Sequence, residues 1–86
     1  MSETVELRRA VLADAPLIHK LTRDAYAPLV SRIGREPLPM TADHTKAVRD
    51  HCVEVLWLGG TLAAVIEMIP RSDHLLVENV AVLPRL

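Results

Sequence analysis

The chain has 86 residues, of which 50% are hydrophobic and 24% charged, with a formal net charge of −1; that length holds one small domain or part of one, with no room for two cores. Ten Lys and Arg stand against eleven Asp and Glu, spread along the chain, so the basic excess of a nucleic-acid binder is missing. No apolar stretch approaches the roughly 20 residues of a spanning helix, "MSETVELRR" lacks the apolar core of a secretion signal, and the single Cys52 cannot form an intramolecular disulfide; a cytoplasmic protein without membrane or nucleic-acid partners is expected.

The string "VELRRAV", from Val5 to Val11, alternates imperfectly between β-branched ends and reads as a short strand. A helix is expected next. Asp14 suits its N-cap, Pro16 falls in the first turn, where a missing N–H does no harm, and Leu17, Ile18, Leu21 and Ala25 recur at helical spacing. The Tyr26-Ala27-Pro28 run should fray or end it. "SRIGREPLPM", with Gly34, Pro37 and Pro39, then reads as a loop.

"TADHTKAVRDHC" resembles a second helix, with Thr41 as N-cap, Asp43 early, and Ala47, Val48 and Cys52 toward one side. The last third has β character. "VEVLWL" turns at Gly59-Gly60 and returns as "TLAAVIEMI", the pattern of a two-residue hairpin. "PRSD" makes a further turn and "HLLVENVAVL" runs as the last strand. The expected order is βααβββ, in a single unit over residues 1–86.

Most constellations have plain structural explanations. Gly59-Gly60 leads into a strand, not into the helix that a phosphate cradle needs. His44 and His51 are seven residues apart, without the i, i+4 spacing that sets two imidazoles on one metal, so no metal is expected. Cys52 and His51 are neighbours that would point about 100° apart on a helix, which suits a packed cysteine better than a thiolate–imidazole pair. Arg8-Arg9 and Arg32 to Arg35 read as solvated basic residues.

Glu78 differs, because it lies among Leu75, Leu76, Val77, Val80 and Val82, a composition that suggests burial on both faces. A buried carboxylate must be paired, hydrogen-bonded or protonated, and desolvation is one way a Glu becomes a base near neutral pH. A solvated Glu on an alternating strand is the other reading, and the residues leave both open.

"LLVENVAVLP", arriving after βααββ, resembles the fourth strand of the GNAT (general-control-related N-acetyltransferase) superfamily, whose members commonly read V-x-N-V-A-V-x-P there. "RIGREPLPM" after a helix ending in "AY" is similar to the same region of one bacterial subgroup. The resemblance implies an α+β fold, a mixed, mainly antiparallel twisted sheet, whose fourth and fifth strands splay apart to admit the pantetheine arm of acetyl-CoA. It implies an acetyl group passed to a primary amine by direct attack in a ternary complex. Val80, Ala81 and Val82 would offer backbone groups to the pantetheine as an added strand would, and a backbone N–H nearby would hold the developing oxyanion. Glu78 matches a position from which several members draw the carboxylate that deprotonates the amine, often through water. Tyr26, Arg32 and Ile33 fall where the family forms its acceptor side.

The family's [Q/R]-x-x-G-x-[G/A] loop, whose N–H groups hold the CoA pyrophosphate, normally begins three residues after the Pro that closes strand four. Here Pro84 is followed by Arg85 and Leu86 alone. The expectation is the N-terminal half of such a domain, binding acetyl-CoA feebly by itself and prone to dimerise or associate through the edge of its last strand. A noncatalytic interaction or regulatory module is the alternative. The acceptor is not legible, since this superfamily serves many amines on one scaffold.

Overall fold

The computed structural model describes residues 4–84. Met1-Ser2-Glu3 and Arg85-Leu86 lie outside the described residues. The fold is α+β, with strands β1 (Val5–Arg9), β2 (Cys52–Leu58), β3 (Thr61–Pro70) and β4 (Leu75–Val82) in one sheet of order β1-β2-β3-β4. All three pairings are antiparallel. Helices α1 (Ala15–Ile33), α2 (Leu38–Thr41) and α3 (His44–Asp50) intervene between β1 and β2. No helix among the described residues is long and apolar enough to cross a membrane.

β1 ends at Arg9, two residues before the expected Val11; Ala10 still bonds Val53 O through its N–H at 2.9 Å, in line with the ladder, and the chain then turns away into a 3-10 turn, Leu12–Asp14. Asp14 does not cap α1 with its side chain. Its carboxylate instead accepts two bonds from the Arg8 guanidinium, at 2.8 and 3.1 Å, and one from Val11 N–H at 2.8 Å. A nearly buried carboxylate facing a guanidinium is better satisfied there than by one helix N–H.

α1 is longer than its sequence pattern suggests, running through Pro28 to Ile33. Pro28 is exposed, so the carbonyl deprived of its partner one turn back also faces solvent, and the break is tolerated. The stop comes at Gly34, whose φ of 73° is left-handed and whose N–H bonds Val30 O at 2.9 Å, a helix end that glycine reaches without steric cost. The face turned to the sheet carries Ile18, Leu21, Thr22, Ala25 and Tyr26, spaced as one side of a helix. Leu17 lies off this stripe and is exposed.

The segment expected as loop contains α2, followed by α3 with Asp43 as N-cap rather than Thr41; Asp43 Oδ1 accepts from Lys46 N–H at 3.1 Å. Thr41 is the last residue of α2, its hydroxyl bonded to Leu38 O at 3.3 Å. Arg23 of α1 holds this region down, with bonds to Glu36 at 2.6 and 3.4 Å and to Met40 O at 3.0 Å. Cys52 opens β2 instead of closing a helix.

Gly59 and Gly60, with φ of 57° and 83°, make the turn between β2 and β3, where positive φ at both positions fits the right-handed twist of the strands. The core lies between helices and sheet, centred on Ile18, Val55 and Val65. Ile18 and Val55 are 2% and 0% exposed, and burying each stabilises the fold by about 1.5–3 kcal/mol.

The described helices cover one sheet face only. In β4, Asn79 and Ala81 are buried, while Val77, Glu78, Val80 and Val82 are exposed. This corrects the expectation that β4 is buried on both faces. The outer face of the sheet is apolar, with Leu7 (70% exposed), Val77, Val80 and Val82 uncovered.

Candidate active site

A cavity of about 400 Å³ opens between the helical segment and the strands; α2, α3 and the turn between them supply Leu38, Asp43 and Lys46 to it, β3 supplies Glu67, and β4 supplies Glu78 and Asn79. His51, between α3 and β2, completes the wall.

Two features of the sheet bring these side chains together. Glu67 is in register with Val53 and Asn79 on the face turned to the helices, which makes it a carboxylate only 6% exposed. Immediately beyond that row the register shifts: Glu67 pairs with Asn79 but Met68 with Val77. Glu78 is the extra residue of a β-bulge, a device that re-aims a side chain that strict alternation would send to the other face. Glu78 and Asn79 thus both line the cavity.

His51 Nδ1 lies 2.5 Å from Glu67 Oε2. With the carboxylate as acceptor, Nδ1 carries the hydrogen and Nε2 is left as the free ring nitrogen. His51 is poised by local structure, since its N–H bonds Ala47 O at 2.8 Å as the helix ends and its backbone is already extended. The cavity's formal charges are three carboxylates (Asp43, Glu67 and Glu78) and one ammonium (Lys46), with the His51 imidazole among them, a balance that favours a cationic guest. Beside it, Asp50 has its carboxyl held below the usual range, chiefly by the hydrogen bond from Arg49.

Glu78 is exposed, which answers to the solvated of the two readings its neighbours left open. Tyr26 does reach β4: its hydroxyl lies 3.0 Å from Val80 O and 3.2 Å from Asn79 Oδ1. Arg32 and Ile33 sit exposed at the end of α1 and do not line the cavity.

β4 is the last strand of the described sheet. Leu83 N–H bonds Ala63 O at 2.9 Å, and because hydrogen-bonded and non-bonded pairs alternate along an antiparallel ladder, Ala81 directs its N–H and C=O inward to Val65. Val80 and Val82, paired with Ile66 and Ala64, direct theirs to the open edge.

Glu67 was not among the candidates drawn from the sequence, and His51 was weighed there only as a metal ligand or a partner of Cys52 and set aside. Glu67 carried the same signal as Glu78, a carboxylate inside an apolar strand, and two-residue periodicity from Val65 would have marked it as inward-facing. His51 carried no local signal, because its partner lies 16 residues away. No group of His, Cys, Asp and Glu among the described residues is arranged to hold a metal ion.

The chain has an α+β fold, with a cavity where its helices meet the sheet. It is similar to a solved structure described as a possible acetyltransferase from Clostridium difficile 630, with a TM-score of 0.64 and 22% identity. The match covers 94% of this chain and 59% of that one, and it is a likeness of fold. No protein-family model matches the sequence, and no curated protein matches it.

Proposed function

We propose that this chain forms the donor edge and the acceptor pocket of a GNAT-like N-acetyltransferase that moves an acetyl group from acetyl-CoA to a primary amine in a ternary complex. One observation carries the reading: the strand that turns the Val80 and Val82 backbones to an open edge also bulges at Glu78 into a cavity rich in carboxylates. Donor and acceptor sites meet at adjacent residues.

The edge fits a pantetheine arm. Val80 and Val82 offer N–H and C=O groups to an extended amide-bearing chain, with Ala81 between them setting their spacing. The Val80 carbonyl is shared with the Tyr26 hydroxyl, and its second lone pair remains for a ligand. A backbone N–H of this edge would stabilise negative charge on the thioester oxygen. Glu78 attracts the ammonium form of the acceptor and takes its proton, directly or through water, because only the neutral amine is nucleophilic. Arg32 and Ile33, at the far end of α1, would touch only an acceptor that extends beyond the cavity. In this reading the protein works in the cytoplasm.

The test is thiol release from acetyl-CoA over a panel of amines, using the full product of the gene that carries this chain. Glu78→Gln should slow the reaction at neutral pH and recover part of the rate at high pH. No thiol release with any amine sinks the reading.

A second reading is favoured by the uncovered outer face and the open β4 edge: a noncatalytic module that pairs with a second copy of itself. Light scattering separates the two, since a monodisperse monomer excludes self-association.

A further inference from the structure

We propose that His51, held by the buried carboxylate of Glu67, is the group that finally accepts the proton of the acceptor ammonium; this rests on the acetyltransferase reading and adds to it a second base that faces the same cavity as Glu78. An exposed carboxylate attracts a cation well but is a weak resting place for its proton: ordinary carboxyl groups ionise near pH 4 and alkylammonium groups near pH 10, whereas imidazole lies about two units closer to the amine. The cavity holds an imidazole with the right free atom. Glu67 Oε2 occupies Nδ1 at 2.5 Å, which leaves the lone pair on Nε2. Glu67 is itself fixed from behind by the sheet, in register with Val53 and Asn79.

The charged groups that border the imidazole come from every neighbouring element: Glu67 from β3, Glu78 from β4, Lys46 and Asp50 from α3, and Asp43 at its cap. Asp50 is itself paired with the Arg49 guanidinium at 3.0 Å, so the charges lining the cavity are Asp43, Glu67 and Glu78 against Lys46, a surplus of negative charge around the proton acceptor.

The step balances as follows. The substrate ammonium loses one proton to His51 Nε2, by way of Glu78 or water. The freed nitrogen lone pair attacks the thioester carbonyl carbon; the N–C bond forms, the C–S bond breaks, and the sulfur leaves with the second proton from nitrogen. The imidazolium then releases its proton to solvent. Amide, free thiol and one proton are the products.

The experiment is a pH–rate profile of kcat/KM with acetyl-CoA and the best amine of the panel, on the full gene product and its His51→Gln, Glu67→Gln and Glu78→Gln variants. It is combined with ¹H–¹⁵N spectra of the histidine rings, and thermal melts confirm that each variant is folded. His51→Gln should lower kcat/KM at pH 7 by about 100-fold and abolish an ionisation on the acid side of the profile. Glu67→Gln should lower kcat with little change in KM, and shift the neutral ring from the Nδ1–H form toward the Nε2–H form. A folded His51→Gln enzyme with the wild-type profile overturns the inference while the transferase reading stands. Absence of acetyl transfer in the wild type overturns both. If His51→Gln does not fold, His51→Asn replaces it under the same criteria, and a ring that is Nε2–H in the wild type overturns the inference without any variant.

Discussion

The Tyr26 hydroxyl of α1 lies 3.0 Å from the Val80 carbonyl on the open edge of β4. The same hydroxyl is 3.2 Å from Asn79 Oδ1, and Asn79 Nδ2 donates to Thr22 Oγ1 at 3.3 Å. Two residues one helical turn apart on α1 therefore grip two successive residues of β4. This fixes the height of the helix over the bulge where Glu78 enters the cavity.

Tyr26→Phe keeps the ring and removes the hydroxyl's bonds. Because the hydroxyl is partly exposed, water replaces some of what is lost, and the variant should be destabilised by only about 0.5–1.5 kcal/mol. Urea unfolding measures this, and a loss well above that range would mean that the ring itself has moved.

Asn79→Ala should cost more, about 1–3 kcal/mol, since it strands a buried Thr22 hydroxyl that is 0% exposed. Thr22→Val in the same background should recover part of the loss, because it removes the unsatisfied group. An Asn79→Ala protein as stable as the wild type in urea would show that the network carries no net stability.

Much of the strand framework was legible, and the reason is local: Gly59-Gly60 and the alternating residues around them specify a hairpin within a few positions of themselves. The helical segment was less legible. Pro28 argues locally for a helix end, yet α1 runs through it on its exposed side. Asp14 looks like a cap but is claimed by Arg8. The candidate site divides in the same way. Glu78 stood out because its apolar neighbours are adjacent in sequence, yet those neighbours are exposed, and the buried acid is Glu67. The bulge that aims Glu78 arises from the pairing of β3 with β4, and His51 acquires a role only when the end of α3 meets β3.

Asp14→Asn tests the link between β1 and the turn before α1. The Arg8 guanidinium, through its hydrogen bonds, holds the Asp14 carboxyl below the usual carboxylate range, aided by Val11 N–H. A depressed carboxyl stabilises the fold fully above its unfolded value near 3.8, and this contribution is lost as the pH falls through the lower folded value. The variant should lose about 1–3 kcal/mol at pH 7, with the gap to wild type closing only below about pH 4. Urea midpoints at several pH values check this; a gap independent of pH down to acid unfolding would contradict it.

His44 gives the opposite end of the pH scale. Burial pushes its imidazole below the ordinary value of 6.5, outweighing the bond between Nε2 and Pro39 O at 3.0 Å. The ring also meets His19 edge-on, with centroids 5.4 Å apart. Because the unfolded chain binds a proton that the folded His44 resists, stability falls as the pH drops from about 6.5 toward the lower folded value. His44→Gln should unfold at lower urea at pH 7.5 but show a shallower decline toward pH 5.5. An unchanged slope would place the pH sensitivity in another group.

Gly34 and Gly60 should respond alike to alanine despite their different settings. Both have left-handed φ, 73° and 83°, and an added Cβ would meet nothing within 4 Å at either position. The cost is therefore backbone strain alone, about 1–2 kcal/mol for each, without a packing penalty. Gly34→Ala should act on the end of α1, and Gly60→Ala on the β2–β3 hairpin. The two losses should add, because the sites lie on different elements and share no partner. Thermal and urea unfolding of the single and double variants give the comparison; a loss above about 3 kcal/mol at either position would show that the turn rearranges rather than straining in place.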